Sequence, residues 1–288
     1  MAVAATGFFD GVHLGHREVL KTLVSSARER GEEALVITFS QHPRTVLQQD
    51  AGKLRFLTTP EEKRLLLESA GAGRVETIPF TREFASLSAR DYISELLVKR
   101  YGVSSLILGY DNRLGCDRLG APQLRELCAG MGLDARIVPP YHLADGSTVS
   151  STKIRGLIAS GKIEEANAML GGRYMLSGVV VSGKQLGRTI GFPTANTVCS
   201  NPLKLVPGRG VYVTEVTVLG RRYYGMTNVG DVIETNIFDF DESIYGLELG
   251  LRFITRIRDM RAMNGLEELK KQLSLDRSAA REIISSLI

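Results

Sequence analysis

The chain lacks tryptophan altogether, and its 288 residues include only three cysteines. Cys116, Cys128 and Cys199 are odd in number and far apart, which predicts neither a disulfide framework nor a zinc cluster and favours a reducing, cytoplasmic environment. No apolar run approaches the roughly 20 residues that a membrane-spanning helix needs, so no membrane association is expected. Basic runs interleaved with aromatic residues are also missing, which argues against nucleic acid as a partner.

The charge balance is only mildly basic. Lysine and arginine number 36 against 32 aspartate and glutamate residues, which gives a formal charge of +4 and a pI near 9.0. Such a surplus suits small anionic substrates, whereas a dedicated nucleic-acid-binding protein usually concentrates its lysine and arginine on one face. The hydrophobic fraction of 43% and the charged fraction of 24% are ordinary for a globular protein long enough to hold two domains.

The first part of the chain alternates strand and helix patterns. Apolar strands at 1–6, 34–39 and 103–109 are separated by amphipathic helices, one of which opens on a capping box at Thr59–Glu62 with proline at its first helical position. Helices of this length between strands predict a Rossmann-like α/β domain built on a parallel sheet. In such sheets ligands bind at the carboxyl ends of the strands.

The pattern changes near residue 171. From there to residue 257 the chain is rich in short strands and turns, with alternation that predicts antiparallel strands closed into a small β-barrel. A final amphipathic helix follows, with Leu266, Leu269, Leu273 and Ile283 on its predicted buried side. We therefore predict an α/β domain over 1–170 and a β-barrel domain with a terminal helix over 171–288.

The turn after the first strand carries two of the four histidines, His13 and His16. A glycine-rich turn before a helix gathers free backbone N–H groups into an anion site. Histidines three residues apart can point at one bound group, and either ring can be cationic beside a polyphosphate. This pattern favours stabilisation of charge on a transferring phosphoryl group. The alternatives are a pair of surface histidines, or a metal pair completed by His42.

Two later segments offer further contacts for phosphate. Ser150–Arg155 alone predicts a helix cap, but Lys153 and Arg155 add charge, and with the histidine turn the segment makes a second wall of one polyphosphate site. The stretch 183–196, GKQLGRTIGFPTAN, is a glycine-rich loop whose Thr194 and Asn196 carry the oxygen ligands that Mg²⁺ prefers. The alternative for the second stretch is an ordinary barrel loop with a proline turn.

These motifs together resemble the prokaryotic bifunctional riboflavin kinase/FAD synthetase family over essentially the whole chain. The matching residues are GFFDGVHLGH at 7–16, SSTKIR at 150–155, the His-Pro pair at 42–43, GYDNRLG at 109–115 and GFPTAN at 191–196. The resemblance implies ATP, riboflavin and FMN as substrates and Mg²⁺ as cofactor. It also implies a nucleotidyltransferase module that joins AMP to FMN and a riboflavin kinase module.

The resemblance also implies roles for individual residues. The implied catalytic residues are His13, His16, Arg155 and Glu234. Nucleotide contacts are implied for Gly7, Phe8, Phe9, Asp10, Gly15, Asp111, Ser151, Thr152 and Arg155 in the first module, and for Gly183, Lys184, Gly187, Arg188, Gly191, Thr194 and Asn196 in the second. Flavin contacts are implied for His42, Pro43 and Asn228, and metal contacts for Thr194 and Asn196.

The two reactions make different demands on their sites. The FMN phosphate has a second pKa of about 6, so it is already largely ionised and needs positioning rather than a general base. The ribityl hydroxyl is an alcohol and benefits from a proton acceptor. The second domain should therefore contain a carboxylate, and the resemblance assigns Glu234. Its alternative role is a solvent-facing strand residue.

The chain departs from the family pattern at three places. Asn112 and Leu114 replace aromatic residues, the segment between Val229–Gly230 and Ile233–Glu234 is short, and 257–265 has Met260, Ala262 and Met263 at unusual positions.

Two rival functions stay open. One is a single-activity adenylyltransferase with a degenerate kinase domain, and the other is a non-catalytic flavin- or nucleic-acid-binding barrel protein. For the bifunctional enzyme we expect a monomer or weak oligomer.

Overall fold

The computed structural model describes residues 1–47, 54–183 and 186–287. The chain divides into two compact units, Met1–Ser151 and Thr152–Ile288. The helices in the described part include none that is long and apolar enough to cross a membrane. All three cysteines are free thiols, with Cys128 buried and Cys116 exposed, so the prediction that they form no disulfide is confirmed.

The first unit is a parallel sheet covered by helices. Its strands are β1 (Ala2–Thr6), β2 (Glu33–Phe39), β3 (Arg74–Ile78), β4 (Val103–Gly109), β5 (Arg113–Leu114), β6 (Leu119–Gly120) and β7 (Asp134–Val138). Its helices are α1 (Leu14–Arg30), α2 (Pro43–Leu47), α3 (Pro60–Ser69), α4 (Arg82–Ala85), α5 (Ala89–Asp91) and α6 (Ala121–Gly130). The two short strands β5 and β6 form a separate hairpin.

The five main strands follow the order β3-β2-β1-β4-β7, and every neighbouring pair is parallel. The chain builds outwards from β1 through β2 to β3 and then crosses to β4 on the other side. The order therefore reverses between β1 and β4, and the crevice at their carboxyl ends is where ligands bind in open α/β sheets. Apolar cores lie on both faces of β1, with Ala4 in one and Val3 in the other. The predicted α/β class is confirmed.

Local signals explain two of the helices. Thr59 and Glu62 form the predicted capping box, because the Thr59 hydroxyl accepts a hydrogen bond from the Glu62 N–H at 3.2 Å and the Glu62 carboxylate accepts one from the Thr59 N–H at 2.9 Å. Ser88 caps α5 by accepting a hydrogen bond from the Asp91 N–H at 3.1 Å. Beyond Asp91 the helix continues as a π-helix, Tyr92–Arg100, which the apolar periodicity does not distinguish from an α-helix.

The second unit is a closed antiparallel barrel with flanking helices. It contains α7 (Ser151–Ala159), whose first residue belongs to the first unit, α8 (Ile163–Leu170), α9 (Leu186–Thr189) and α10 (Leu266–Ser285). Its strands are β8 (Tyr174–Val181), β9 (Ala195–Cys199), β10 (Gly210–Val218), β11 (Arg221–Val229), β12 (Ile233–Ile237) and β13 (Glu248–Arg258), in the barrel order β10-β11-β12-β9-β8-β13. The predicted small barrel and terminal helix are confirmed.

The terminal helix packs on the outside of the barrel. Ala280 and Ile284 of α10 are buried against Val213 and Met226 of the barrel wall, and Leu273 and Ile283 are partly buried beside them. The prediction for Leu266 is wrong, since 49% of this residue is exposed. Leu266 is the first residue of α10, and a side chain in the first helical turn leans back beyond the end of the helix rather than onto the packed surface.

Candidate active sites

The turn that joins β1 to α1 has an unusual backbone. Phe9 and Val12 have φ angles of 54° and 41°, and Gly11 between them has a φ angle of 80°. Non-glycine residues rarely adopt this left-handed conformation, and such strain is concentrated where a backbone must be held for function. The strained turn lies at the carboxyl end of the central strand and leads directly into the N-terminus of α1. The turn therefore brings the N-terminus of α1 to the crevice, while its own Gly11 N–H donates to the Thr58 hydroxyl at 3.2 Å.

Asp10 holds this turn in place. Its buried carboxylate accepts hydrogen bonds from the backbone N–H groups of Leu57 at 2.9 Å and Thr58 at 3.2 Å. Its own carbonyl accepts a hydrogen bond from the hydroxyl of Ser151 at 3.0 Å. A carboxylate with several backbone donors is firmly fixed. The predicted residues Asp10 and Ser151 are thus brought together at one side of the turn.

The two histidines of the motif stack on each other. Their ring centroids are 3.6 Å apart with an angle of 13° between the planes. His13 caps α1, because its Nδ1 atom accepts a hydrogen bond from the His16 N–H at 3.3 Å. The hydrogen bond assigns the proton of the neutral His13 ring to Nε2.

Burial, followed by the nearby His13 and Lys63, lowers the pKa of His16 well below its usual 6.5. This shift favours the neutral form of His16 at neutral pH. The expectation that its ring is cationic beside a polyphosphate stays a prediction. Within the described residues, the buried Nδ1 atom of His16 has no hydrogen-bond partner.

Lys63 is a functional candidate that the sequence reasoning missed. It is only 3% exposed, its Nζ atom donates to the carbonyl of Phe39 at 2.9 Å, and the same atom lies 4.0 Å from the ring centroid of Phe8. Burial lowers its pKa from 10.5 to about 8, although Asp10 partly offsets this. The sequence contained a signal for this position, because Lys63 is four residues before Leu67 and therefore lies on the same face of α3. The structure shows that both side chains are buried.

An aromatic cluster lies on the β2 side of the turn. The ring of Phe8 meets His42 edge-on at 4.6 Å, and His42 stacks on Phe56 at 5.4 Å. Pro43 follows as the first residue of α2. The structure thus brings the predicted flavin contact His42 to the predicted nucleotide contact Phe8, and adds Phe56. Flat apolar surfaces of this kind suit an aromatic ligand ring.

The carboxyl end of β4 forms the opposite side of the crevice. The Asn112 side chain accepts from the Gly109 N–H and donates to the Thr6 carbonyl at 3.2 Å, so it ties the ends of β4 and β1 together. The non-aromatic residue at position 112 is therefore a structural link at the crevice. Asp111 beside it is exposed.

The remaining predicted contacts of the first module lie on α1 and α7. Gly15 lies in α1 against the ring of His13. Thr152 and Arg155 follow Ser151 in α7, and the Arg155 guanidinium donates to the Thr152 hydroxyl at 3.4 Å. The alternative metal pair with His42 receives no support, since the described residues contain no group of three His, Cys, Asp or Glu side chains able to hold a metal.

On the barrel, three predicted residues occupy neighbouring strands. Asn196 on β9 pairs with Glu234 on β12, and Glu234 pairs with Asn228 on β11. Directly paired residues of antiparallel strands project from the same face, so the three side chains form one row. The Asn228 amide donates to the Glu234 carboxylate at 3.2 Å. Met226, two residues before Asn228, packs against α10, which identifies this as the outer face that α10 partly covers.

Two side-chain oxygen atoms of this row are buried and lack a hydrogen-bond partner in the described part of the chain. The Oδ1 atoms of Asn196 and Asn228 have no hydrogen-bond partner among residues 1–47, 54–183 and 186–287. A buried polar atom without a partner is costly, so such atoms point to a ligand. Gly183 lies directly over Asn196, where a Cβ atom would come within 1.6 Å of the Asn196 Nδ2 atom. Only glycine permits this close approach.

The glycine-rich loop is folded back onto itself. The Phe192 N–H donates to the Gly187 carbonyl at 2.8 Å, and Gly191 has a φ angle of 82°. Asn236 of β12, two residues from Glu234, donates to the Pro193 carbonyl at 2.7 Å and so anchors the residues that lead to Thr194. Asn236 was missed by sequence reasoning, although its spacing from Glu234 places both on one strand face. Arg188 lies in α9, and Lys184 lies outside the described residues.

A pocket of about 390 Å³ opens beside Thr194. Its wall includes Pro193, Ala195 and Thr235 and the loop residues Phe240, Ile244 and Tyr245. The mixture of aromatic and aliphatic side chains with a few polar groups is typical of a small-molecule site. The loop residues were not predicted, because no local pattern connects 240–245 to the loop at 183–196.

The segment that is short in this chain forms a tight turn. Gly230, Asp231 and Val232 join β11 to β12, and the Gly230 N–H donates to the Val232 carbonyl at 3.1 Å. Asp231 accepts from Arg209 at 2.7 Å. The strands on both sides stay in register from Val229 paired with Ile233, so the short turn preserves the pairing of Asn228 with Glu234.

Comparison with known proteins finds two family models that match this chain in tandem. Residues 1–153 match the family model for FAD synthetase, and residues 170–284 match the model for riboflavin kinase. A bifunctional riboflavin kinase/FMN adenylyltransferase of Bacillus subtilis is 33% identical, with 99% of this chain and 93% of the relative covered. The protein of the same name in Escherichia coli is 36% identical, with 97% and 92% covered.

A solved structure resembles the whole chain as well. It comes from Streptococcus pneumoniae and is described as a macrolide-efflux protein, with 32% sequence identity, a TM-score of 0.91, and coverage of 97% of this chain and 93% of that one. The likeness extends over both units of the fold. Two family models in tandem and full-length relatives above 30% identity show that the chain belongs to the bifunctional riboflavin kinase/FMN adenylyltransferase family.

Proposed function

We propose that this protein phosphorylates riboflavin with ATP to give FMN, and then transfers AMP from a second ATP to FMN to give FAD and pyrophosphate. The observation that carries the proposal is the row Asn196–Glu234–Asn228, which combines a carboxylate with buried, unpartnered amide oxygens on one barrel face. A solvent-facing strand glutamate would not need that setting. The stacked histidine pair at the β1–β4 crevice supports the second activity.

In the adenylyl transfer the protein has to position two phosphates and neutralise their charge. His13 and His16 would donate N–H groups to the ATP phosphates, and a bound phosphate would favour the protonated form of His16. Ser151, Thr152 and Arg155 would hold the phosphate tail, while Gly7, Phe8, Phe9, Asp10, Gly15 and Asp111 would shape the nucleotide site. Lys63 adds a further cation beside Phe8. The His42–Pro43 corner would receive the flavin ring.

In the kinase step Glu234 would accept the proton of the ribityl hydroxyl as the hydroxyl oxygen attacks the γ-phosphorus of ATP, the bond from that phosphorus to the β,γ-bridging oxygen breaks, and ADP leaves. Asn228, which already donates to Glu234, would orient this carboxylate and contact the flavin. Gly183, Lys184, Gly187, Arg188 and Gly191 would supply the phosphate loop. The pocket beside Thr194 is well placed to receive the nucleoside of ATP.

The same loop suits Mg²⁺. Thr194 offers a hydroxyl and Asn196 a buried amide oxygen without a partner in the described chain, which are hard oxygen donors of the kind that Mg²⁺ accepts in small numbers. Mg²⁺ bound with ATP would neutralise charge on the β- and γ-phosphates. Holding the ion is the task we assign to Thr194 and Asn196.

Domain limits, location and assembly complete the proposal. We place the functional boundary at 170–171, because α7 carries Ser151, Thr152 and Arg155 and would serve the adenylyl site. We propose a cytoplasmic location, which the three free thiols support. The protein would be a monomer or weak oligomer that acts on small molecules and binds no nucleic acid, in keeping with a formal charge of only +4.

An end-point assay tests the proposal. Purified protein receives ATP and Mg²⁺ with either riboflavin or FMN, and the flavins are separated by chromatography. We expect FAD from both starting compounds, with His16→Ala and Glu234→Ala blocking different steps. FAD from FMN alone would favour the single-activity adenylyltransferase, and no flavin product from either compound would overturn the assignment.

A further inference from the structure

The terminal helix contacts the segment that precedes the proposed metal contacts Thr194 and Asn196. Arg277 of α10 places its guanidinium 4.0 Å from the ring centroid of Phe192, and its Nη2 atom donates to the Gly191 carbonyl at 3.3 Å. Phe192 is only 5% exposed, so its ring is a fixed surface. Arg277 therefore contacts two consecutive residues of the GFPTAN motif, and Thr194 follows two residues later.

Arg277 is partly buried where it contacts this segment. Burial, and then the positive charge of Arg281, lower the pKa of Arg277, whereas Asp239 raises it. Its Nε atom is buried and has no hydrogen-bond partner within the described part of the chain. Arginine keeps its charge at any physiological pH, so a partly desolvated cation lies on an aromatic face, and partial desolvation strengthens cation–π attraction.

A second anchor holds the segment from the barrel side. Asn236 of β12 donates to the Pro193 carbonyl at 2.7 Å. Phe192 and Pro193 are thus fixed by α10 through Arg277 and by β12 through Asn236. Because β12 also carries Glu234, the two anchors set where Thr194 and Asn196 stand relative to the proposed base. Displacements of about 1 Å in such a constellation can cost a factor of about 100 in rate.

We propose that Arg277 is a positioning residue for the kinase step, which holds the Gly191–Pro193 segment so that Thr194 and Asn196 meet the Mg²⁺ and phosphates of ATP. This inference rests on the proposed kinase function of the barrel. It goes beyond that proposal by giving the terminal helix a task in phosphate and metal binding, and it concerns a residue outside the sequence motifs.

The test compares Arg277→Met with Arg277→Lys and with the control Arg281→Met. Arg281 lies one helical turn further along α10, also faces a ring, that of Phe238 at 5.2 Å, and pairs with Asp239 at 2.8 Å. It thus has the same chemistry as Arg277 with different contacts. Full-length protein is used throughout, and FMN adenylylation in each preparation reports whether the first unit is intact.

For Arg277→Met we expect the Mg²⁺ and ATP concentrations at half-maximal riboflavin phosphorylation to rise about fivefold, the factor that corresponds to about 1 kcal/mol of lost cation–π attraction. The KM for riboflavin and the rate of FMN adenylylation should be unchanged. Arg277→Lys should recover part of the loss, because it keeps the charge but not the planar group. Arg281→Met should behave as wild type.

Hydrogen–deuterium exchange supplies a readout that does not depend on activity. The Phe192 amide is protected by its hydrogen bond to Gly187, so Arg277→Met should speed exchange in the peptide that covers 190–197, whereas Arg281→Met should not. Unchanged Mg²⁺ and ATP dependence would overturn the inference, as would an equal loss in both arginine variants. Absence of kinase activity in the wild type would instead refute the proposed function on which the inference rests.

Discussion

Glu234→Gln separates the chemical role of this side chain from its structural role. The residue is half-buried on β12 and accepts a hydrogen bond from the Asn228 amide at 3.2 Å. Glutamine has the same shape, and its amide oxygen can still accept that bond, so the free energy of unfolding should change by no more than the roughly 1 kcal/mol that one hydrogen bond contributes. The substitution removes only the negative charge and the capacity to take up a proton.

The expected kinetic effect is much larger than the structural one. Positioned general bases contribute factors of about 10² to 10⁴, equivalent to about 3 to 5 kcal/mol of transition-state stabilisation. We therefore expect kcat for riboflavin phosphorylation to fall by about 10²-fold or more. The KM for ATP should stay close to its wild-type value, because Thr194 and Asn196 remain in place.

The assay follows ATP-dependent conversion of riboflavin to FMN, with conversion of FMN to FAD in the same preparation as an internal control. Glu248→Gln is the matched substitution, since Glu248 is an exposed glutamate on β13 of the same barrel. FMN adenylylation in Glu234→Gln and both activities in Glu248→Gln should equal those of wild type. A kinase loss smaller than tenfold, or an equal loss of both activities in Glu234→Gln, would refute the role of Glu234 as the base.

Three further perturbations follow from the two sites. His16→Asn should lower kcat for FMN adenylylation by about 10²-fold, as does loss of one preorganised donor elsewhere, with riboflavin phosphorylation as the unaffected control; a change below tenfold would contradict this. Lys63 has a folded-state pKa of about 8 against 10.5, so the unfolded chain binds more protons between these values and stability rises with pH across that window. Urea denaturation should show the wild type gaining up to about 3 kcal/mol relative to Lys63→Met between pH 8 and 10.5, whereas a constant difference would show that Lys63 is not desolvated. Gly183→Ala would place a methyl group 1.6 Å from the Asn196 Nδ2 atom. The Mg²⁺ concentration that gives half-maximal kinase activity should therefore rise, while FMN adenylylation stays normal. An unaltered Mg²⁺ titration would mean that the loop shifts at no cost.

The secondary structure of this protein was largely predictable because its signals are local. The capping box at Thr59 depends on four consecutive residues, and the strand β1 and helix α1 follow from apolar periodicity. Leu266 shows the limit of such patterns, since periodicity places it on the apolar face of α10 but not beyond the region that the barrel covers. Likewise, Phe240 and Tyr245 line a pocket with Thr194 although they lie more than 40 residues away in the chain.

The sequence by itself determined the two-domain organisation, the glycine-rich turns and the residue types that phosphate and Mg²⁺ chemistry require, because each of these is written in a short stretch of chain. Only the tertiary structure decided which of them meet. Strand register aligned Asn196, Glu234 and Asn228, and burial beside His13 and Lys63 lowered the pKa of His16. Register and burial depend on contacts between residues far apart in sequence, and no local pattern contains that information.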